Sequence, residues 1–257
     1  MNNVSDFATE WIKSHGGTLL SEEELATKLA DIDKQAEEKA AADYLALKRK
    51  VYDRDSLWPS NRKATFTFER WLPERQTNVK LATKIKNQAT DIFKRLRSDN
   101  FNIFILGNAG TGKTAITLAL VNALERYSHK TVMFVSTVAL RESVMYEFSD
   151  LGARAKLDRI AKSMQEVDVL ILDDFGSEVG MSGNGKQATE RLQQFYMRVA
   201  DARYEVDEND KRTKSTIVTS NNVRSELEGM YNDKLISRLV TKKTENVLLF
   251  AGLEDIR

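Results

Sequence analysis

The sequence predicts an α/β fold of three layers, a mainly parallel β-sheet covered by helices on both faces, preceded by a small helical N-terminal region. Three observations predict it. Short apolar runs alternate with helical patterns from residue 102 onward. A glycine-rich turn joins the first of those runs to the helix after it. Residues 21–55 contain neither Gly nor Pro and are rich in Glu, Lys, Ala and Leu. Strands that alternate with helices lie parallel, because each helix carries the chain back across a face of the sheet.

The elements follow in order. Ser21 with Glu24 resembles a capping box, and Leu25, Leu29 and Ile32 recur at helical spacing, so 21–55 reads as one long helix or a helical hairpin. Its apolar stripe is narrow, which suits a helix that docks on a partner better than one buried in its own domain. Residues 57–73 hold both prolines and read as a linker, with Trp58, Phe66, Phe68 and Trp71 as anchors to the main domain. Helices are expected at 76–97, 113–127, 138–148, 156–164, 187–203, 224–230 and 233–240. Strands are expected at 102–106, 131–136, 167–172, 215–219 and 246–250. The polar stretches 177–187 and 205–214 read as surface loops. The division expected is a helical partner-binding region over 1–56, a linker over 57–75 and the main domain over 76–257.

Composition excludes several kinds of chemistry. The 257 residues are 41% hydrophobic and 30% charged, enough for one sizeable core with an appendage in a soluble protein. There is no cysteine, so disulfides, thiolate zinc sites and thiol catalysis are out. Two histidines make an all-histidine metal site a poor expectation. No apolar run is long enough to span a bilayer and the first ten residues do not read as a secretory signal, so a cytoplasmic protein without a membrane partner is expected. Net charge is +1, yet residues 62–97 carry ten Lys or Arg against three acids, a surface suited to nucleic acid or simply a solvated helix face.

The chemistry concentrates in Gly107-Asn108-Ala109-Gly110-Thr111-Gly112-Lys113-Thr114, an uninterrupted GxxxxGK[ST] between an apolar strand and a helix. Glycines let the backbone curl so that successive N–H groups surround phosphates. The helix beginning near Lys113 adds its positive end. The Lys113 ammonium suits the β- and γ-phosphates of ATP, and the Thr114 hydroxyl is a hard ligand for Mg²⁺. Val169-Leu170-Ile171-Leu172-Asp173-Asp174 supplies the second half, an apolar strand with acids at its C-terminal end, where such sheets bind ligands. Asp173 is expected to hold Mg²⁺ and Asp174 to orient the attacking water. Asp is one methylene shorter than the Glu common at that second position, so slow hydrolysis is expected, closer to a switch than to a motor.

From Thr65 to Arg257 the sequence resembles the DnaC/DnaI family of bacterial helicase loaders and the related IstB transposition helpers, both AAA+ ATPases. The resemblance runs through Thr67-Phe68-Glu69, the phosphate loop, Leu170 to Gly176, Ile217-Val218-Thr219-Ser220-Asn221, Leu235-Ile236-Ser237-Arg238-Leu239 and the ending Phe250 to Arg257. It implies that Asn221 is a sensor contacting the γ-phosphate and the water. It implies that Arg238 is an arginine finger entering a neighbouring subunit, and hence self-association through the ATP site. It matches residues 138–148 to the region where loaders insert a helix that touches single-stranded DNA, and Arg141 with the later Arg154, Lys156 and Arg159 are either candidates for phosphate contacts or solvated helix charges. The function implied is ATP-controlled loading of the hexameric replicative helicase, gripped by the N-terminal helices, onto single-stranded DNA. The alternative is an IstB-type helper that binds duplex DNA and a transposase. A metabolic P-loop kinase would have no need of a separate sensor and finger.

Overall fold

The computed structural model describes residues 10–16, 21–60, 62–146, 151–179 and 187–255. The glycines at 180, 183 and 185, Phe148, Ile256 and Arg257 lie outside the described residues. The chain divides into two compact units, 1–47 and 48–257. One helix, α1 (Glu22–Asp55), runs through that boundary without a break. Its start is the expected capping box. The Glu24 N–H donates to Ser21 Oγ at 3.1 Å and the Ser21 N–H donates to Glu24 Oε2 at 2.8 Å, satisfying two N–H groups at the helix start. In the first unit Leu25, Leu29 and Ile32 remain at least half exposed.

The second unit is built on a five-stranded parallel sheet in the order β2-β3-β4-β1-β5. Its strands are β1 (Ile103–Leu106), β2 (Val132–Ser136), β3 (Val169–Asp173), β4 (Ser215–Ser220) and β5 (Val247–Leu249). Alternate strand residues serve two separate cores. Phe104, Met133, Val135, Leu170, Leu172 and Val218 face one core, and Ile103, Ile105, Phe134, Val169, Ile171 and Ile217 face the other. A sheet buried on both faces needs continuous apolar runs, which is why β3 reads Val-Leu-Ile-Leu. Each such side chain, fully buried, contributes roughly 2 kcal/mol.

The other helices are α2 (Val79–Leu96), α3 (Lys113–Tyr127), α4 (Thr137–Met145), α5 (Leu151–Glu166), α6 (Glu190–Arg203), α7 (Arg224–Met230) and α8 (Asp233–Leu239). Buried residues of α2 and α3 join the core lined by Ile105. Those of α4 to α8 join the core lined by Leu170. Three layers result.

Residues 57–71 are more firmly built in than a linker requires. Leu57 pairs with Val135 in parallel, donating to the Phe134 carbonyl and accepting from the Ser136 N–H, both at 2.8 Å. This single residue covers the outer edge of β2. Trp58 stacks on Phe134 with ring centres 4.2 Å apart, and Trp71 meets Phe250 edge to face at 5.9 Å. The alternating Thr65 to Phe68 forms no strand, and Phe68–Arg70 is a 3-10 turn.

Arg203 fastens the end of the sheet remote from the glycine-rich turn. It is 2% exposed and ends α6. Its guanidinium donates to the carbonyls of Met164 (2.8 Å), Val167 (2.7 Å) and Ser215, and to Thr216 Oγ1 (3.1 Å). It thereby satisfies carbonyls at the C-terminus of α5 that the helix itself leaves open. Burial pulls its pKa down to about 9, so it stays charged at neutral pH. Arg203→Met should cost about 3 kcal/mol or more, because several buried carbonyls lose their donor together. Urea unfolding followed by circular dichroism measures this, and a midpoint unchanged from wild type would refute it.

Candidate nucleotide-binding site

The loop 107–112 leaves the C-terminal end of β1 and turns into α3 at Lys113. Gly112 caps that helix with φ 95°, a left-handed conformation. A Cβ there would lie 2.5 Å from the Trp71 ring. A Cβ on Gly107 would lie 2.4 Å from the Phe250 Cβ. The glycines are thus required from outside the loop as well, where Trp71 and Phe250 press against it. The cavity on its inner side has a volume of about 290 Å³ and is lined by residues 109, 110 and 112–115 together with Asp174 and Asn221. Asn108 and Thr111 complete the loop, with Thr111 Oγ1 donating to the Asn108 carbonyl at 2.8 Å.

Lys113 is 5% exposed, and its ammonium donates to the carbonyls of Gly107 (2.8 Å) and Asn108 (2.9 Å) and to Asn221 Oδ1 (2.6 Å). A buried ammonium at the wall of a cavity suits an anionic ligand there. Asn221 follows β4 and arrives beside Lys113 because β4 lies next to β1 in register, with Leu106 opposite Ser220.

Asp173 ends β3 and is 2% exposed. Thr114 Oγ1 lies 3.2 Å from each of its carboxylate oxygens, and Thr219 Oγ1 donates to Oδ1 at 2.8 Å. Burial first, and then the charge of Asp174, push the Asp173 carboxyl up to about 6, against the hydrogen bonds from Thr219 and Thr114. A dication beside it favours the ionised form. Among the described residues no cluster of three or more His, Cys, Asp or Glu could hold a metal. One carboxylate and one hydroxyl beside a cavity suited to phosphates fit Mg²⁺, which takes few protein ligands and relies on substrate phosphates and water.

Asp174 has φ 60°, one of two non-glycine residues with positive φ among those described. Its N–H donates to Thr219 Oγ1 at 2.8 Å, and its carbonyl accepts from Thr137 Oγ1 at 3.0 Å. A conformation sparsely populated by L-residues is kept here by hydrogen bonds on both sides of the peptide. Thr137 Oγ1 also lies 2.8 Å from Glu178 Oε2, so its one proton is shared between these two acceptors. Glu178 is fully buried and accepts further from the Gly176 N–H (2.9 Å), Tyr196 OH (3.0 Å) and Tyr231 OH (2.5 Å). Burial raises its pKa despite these donors. The carboxylate therefore joins the turn after β3 to α6 and to Tyr231, just ahead of α8.

Arg238 is the one proposed catalytic residue that does not reach this cavity. Its carbonyl accepts from Asn102 Nδ2, ahead of β1, whereas the phosphate-binding loop follows β1. Its guanidinium is ion-paired with Asp201 on α6, lies 3.4 Å from the Met197 sulfur and sits over the Tyr204 ring at 5.7 Å. Arg159, a candidate DNA contact, is engaged elsewhere. With Arg54 and Ser163 it binds the buried Asp55 carboxylate, whose pKa ends below the usual carboxylate value although burial alone would raise it. Arg154 lines a separate cavity of about 390 Å³ with Arg191 and Arg198. Thr219 lies in a segment that carries the resemblance but had no role of its own there, and Thr137 and Glu178 carried no recognisable signal in the sequence.

A loop of this shape between the first strand and its helix, with acids on the strand two places away in a 2-3-4-1-5 parallel sheet, defines a P-loop nucleoside triphosphatase. The chain belongs to the family described as IstB-like ATP binding protein, which matches residues 18–243, and its fold is of the AAA+ type. No curated protein matches it in sequence. Among solved structures, a DNA replication initiation factor is similar at a TM-score of 0.51, with 22% identity, over 72% of this chain and 49% of that one. A DnaI structure is similar at 0.51 with 15% identity, covering 75% of this chain and 90% of that one. AMPPCP-bound DnaA from Aquifex aeolicus is similar at 0.50 with 21% identity, covering 69% of this chain and 48% of that one. At these identities the likeness is one of fold, and the chain spans about half the length of the first and third. No helix among the described residues is long and apolar enough to cross a membrane.

Lys113→Ala should weaken binding of an ATP analogue by about 100-fold or more, since a charge-assisted contact to phosphate is lost from a buried site. Isothermal calorimetry measures this, and an unchanged affinity would place the nucleotide elsewhere.

Proposed function

We propose that this ATPase is a cytoplasmic loader that places a hexameric replicative helicase on single-stranded DNA, working as an ATP-controlled oligomeric switch. The observation that carries this reading is the first half of α1. Residues 22–47 hold eight acids against three lysines, and Leu25, Leu29 and Ile32 stand at least half exposed on this stretch. An acidic helix repels a phosphate backbone, while an exposed apolar stripe suits a groove on a protein. Residues 1–56 are accordingly the proposed partner-binding region, 57–75 a connecting segment and 76–257 the ATPase domain. The second reading, a helper of transposition that binds duplex DNA, is favoured by the family description alone.

In the proposed cycle the backbone of 107–112 and the Lys113 ammonium hold the triphosphate of ATP. Thr114 and Asp173 hold Mg²⁺, which when bound neutralises charge on the phosphoryl oxygens. Asp174 orients the attacking water and Asn221 reads the γ-phosphate. Hydrolysis is slow because the Asp174 side chain is short. Arg238 serves a neighbouring copy, since its helix lies toward the other end of β1 from its own phosphate loop. To do so it must leave Asp201, so the ion pair opposes assembly until ATP and a neighbour offer more.

Two measurements test this. Arg238→Ala should leave analogue affinity unchanged and lower assembly-dependent turnover by about 10²- to 10³-fold. Asp201→Ala should raise turnover at low protein concentration, and equal turnover in both variants and wild type would remove the finger. For the partner, the protein is mixed with the replicative helicase, single-stranded DNA and duplex DNA, and complexes are resolved by size exclusion. Wild type should bind helicase, and a Leu25→Asp, Leu29→Asp, Ile32→Asp variant should not. Binding of duplex DNA alone would overturn the loader in favour of the transposition helper.

A further inference from the structure

We propose that Thr219 is a positioning residue for ATP hydrolysis, one hydroxyl that sets both acids at the tip of β3; the proposal rests on the ATPase reading of that site. Thr219 is fully buried near the end of β4, with Ile105 of β1 beside it on one side and the end of β3 on the other. Its hydroxyl makes two contacts of 2.8 Å, one with Asp173 Oδ1 and one with the Asp174 N–H. The polarity of both is forced. The Asp174 N–H is a donor only, so it takes a lone pair of Oγ1. The ionised Asp173 carboxylate is an acceptor only, so the single hydroxyl proton points at it.

Two consequences follow from that polarity. The bond to Oδ1 fixes the rotation of the Asp173 carboxylate, which presents its oxygens to Thr114 Oγ1, the other proposed Mg²⁺ ligand. Outer partners of this kind set the orientation of a metal-holding carboxylate. The bond from the Asp174 N–H anchors a residue at φ 60°, a backbone conformation that costs an L-residue about 1–2 kcal/mol. Held there, Asp174 lines the nucleotide cavity. The metal-holding acid and the water-orienting acid are thereby coupled through one oxygen atom.

The test uses the full-length protein and three variants. Thr219→Val keeps the shape and the β-branch without the hydroxyl, Thr219→Ala removes the hydroxyl with less bulk, and Thr219→Ser retains it. Three quantities are read: kcat and KM for ATP, the Kd of a non-hydrolysable ATP analogue in Mg²⁺ and in EDTA, and the thermal midpoint. The expected result for Val and Ala is a kcat lower by about 10- to 100-fold with KM nearly unchanged. The tightening of analogue binding by Mg²⁺ should shrink by about tenfold while the Kd in EDTA stays at the wild-type value. Ser should restore both. The proposal is overturned if Val and Ala match wild type, if Ser is as impaired as Val, or if affinity falls equally with and without Mg²⁺, which would mean a collapsed pocket. Should wild type itself neither bind nor hydrolyse ATP, the ATPase reading fails instead, and the two failures are told apart by that control.

Discussion

A buried carboxylate shared between two threonine hydroxyls holds the nucleotide site together. Asp173 lies beneath Thr114 and beside Thr219, and these three residues come from the helix after β1, from β3 and from β4. Their meeting depends on the parallel register, since β4 separates β1 from β3 and the C-terminal ends of all three point the same way. A buried acid is costly unless its oxygens are paired. Here the pairing sets Asp173 behind the cavity that the glycine-rich loop, Asp174 and Asn221 line. Slippage of β3 by one residue would turn Asp173 into the opposite core and set Leu172 against Thr114.

The same turn reaches outward. Asp174 and Gly176 are tied through Thr137 and Glu178 to Tyr196 and Tyr231, and Phe175 stacks on Tyr231 with ring centres 4.5 Å apart. Tyr231 immediately precedes the helix that bears Arg238. The nucleotide-facing turn and the proposed intersubunit arginine are therefore joined by packed, hydrogen-bonded groups.

The parts legible in the sequence were those encoded within a few adjacent residues. The phosphate loop is eight consecutive residues whose backbone makes the site, and α3 spans the expected Lys113–Tyr127. Two-sided burial left its mark in the Val-Leu-Ile-Leu run of β3. The contacts that cross the sheet left none. A threonine in a strand is ordinary β composition, so Thr219 reads as scaffold until register sets it against Asp173. Glu178 reads as a loop acid, and only the fold surrounds it with four donors. Trp71 and Phe250 lie far apart in sequence, and nothing local says that they close the outside of the glycine loop. The strand order and the pairing of Arg238 with Asp201 are likewise products of packing.

The central claim is that a triphosphate occupies the space between residues 107–114 and the acids of β3, and a crystal structure of the protein with a non-hydrolysable ATP analogue and Mg²⁺ tests it most directly. The account predicts phosphate oxygens within hydrogen-bonding distance of the loop N–H groups, with the Lys113 ammonium turned from the Gly107 and Asn108 carbonyls toward them. Electron density for the analogue in another cavity, with Lys113 still bound to those carbonyls, would contradict it.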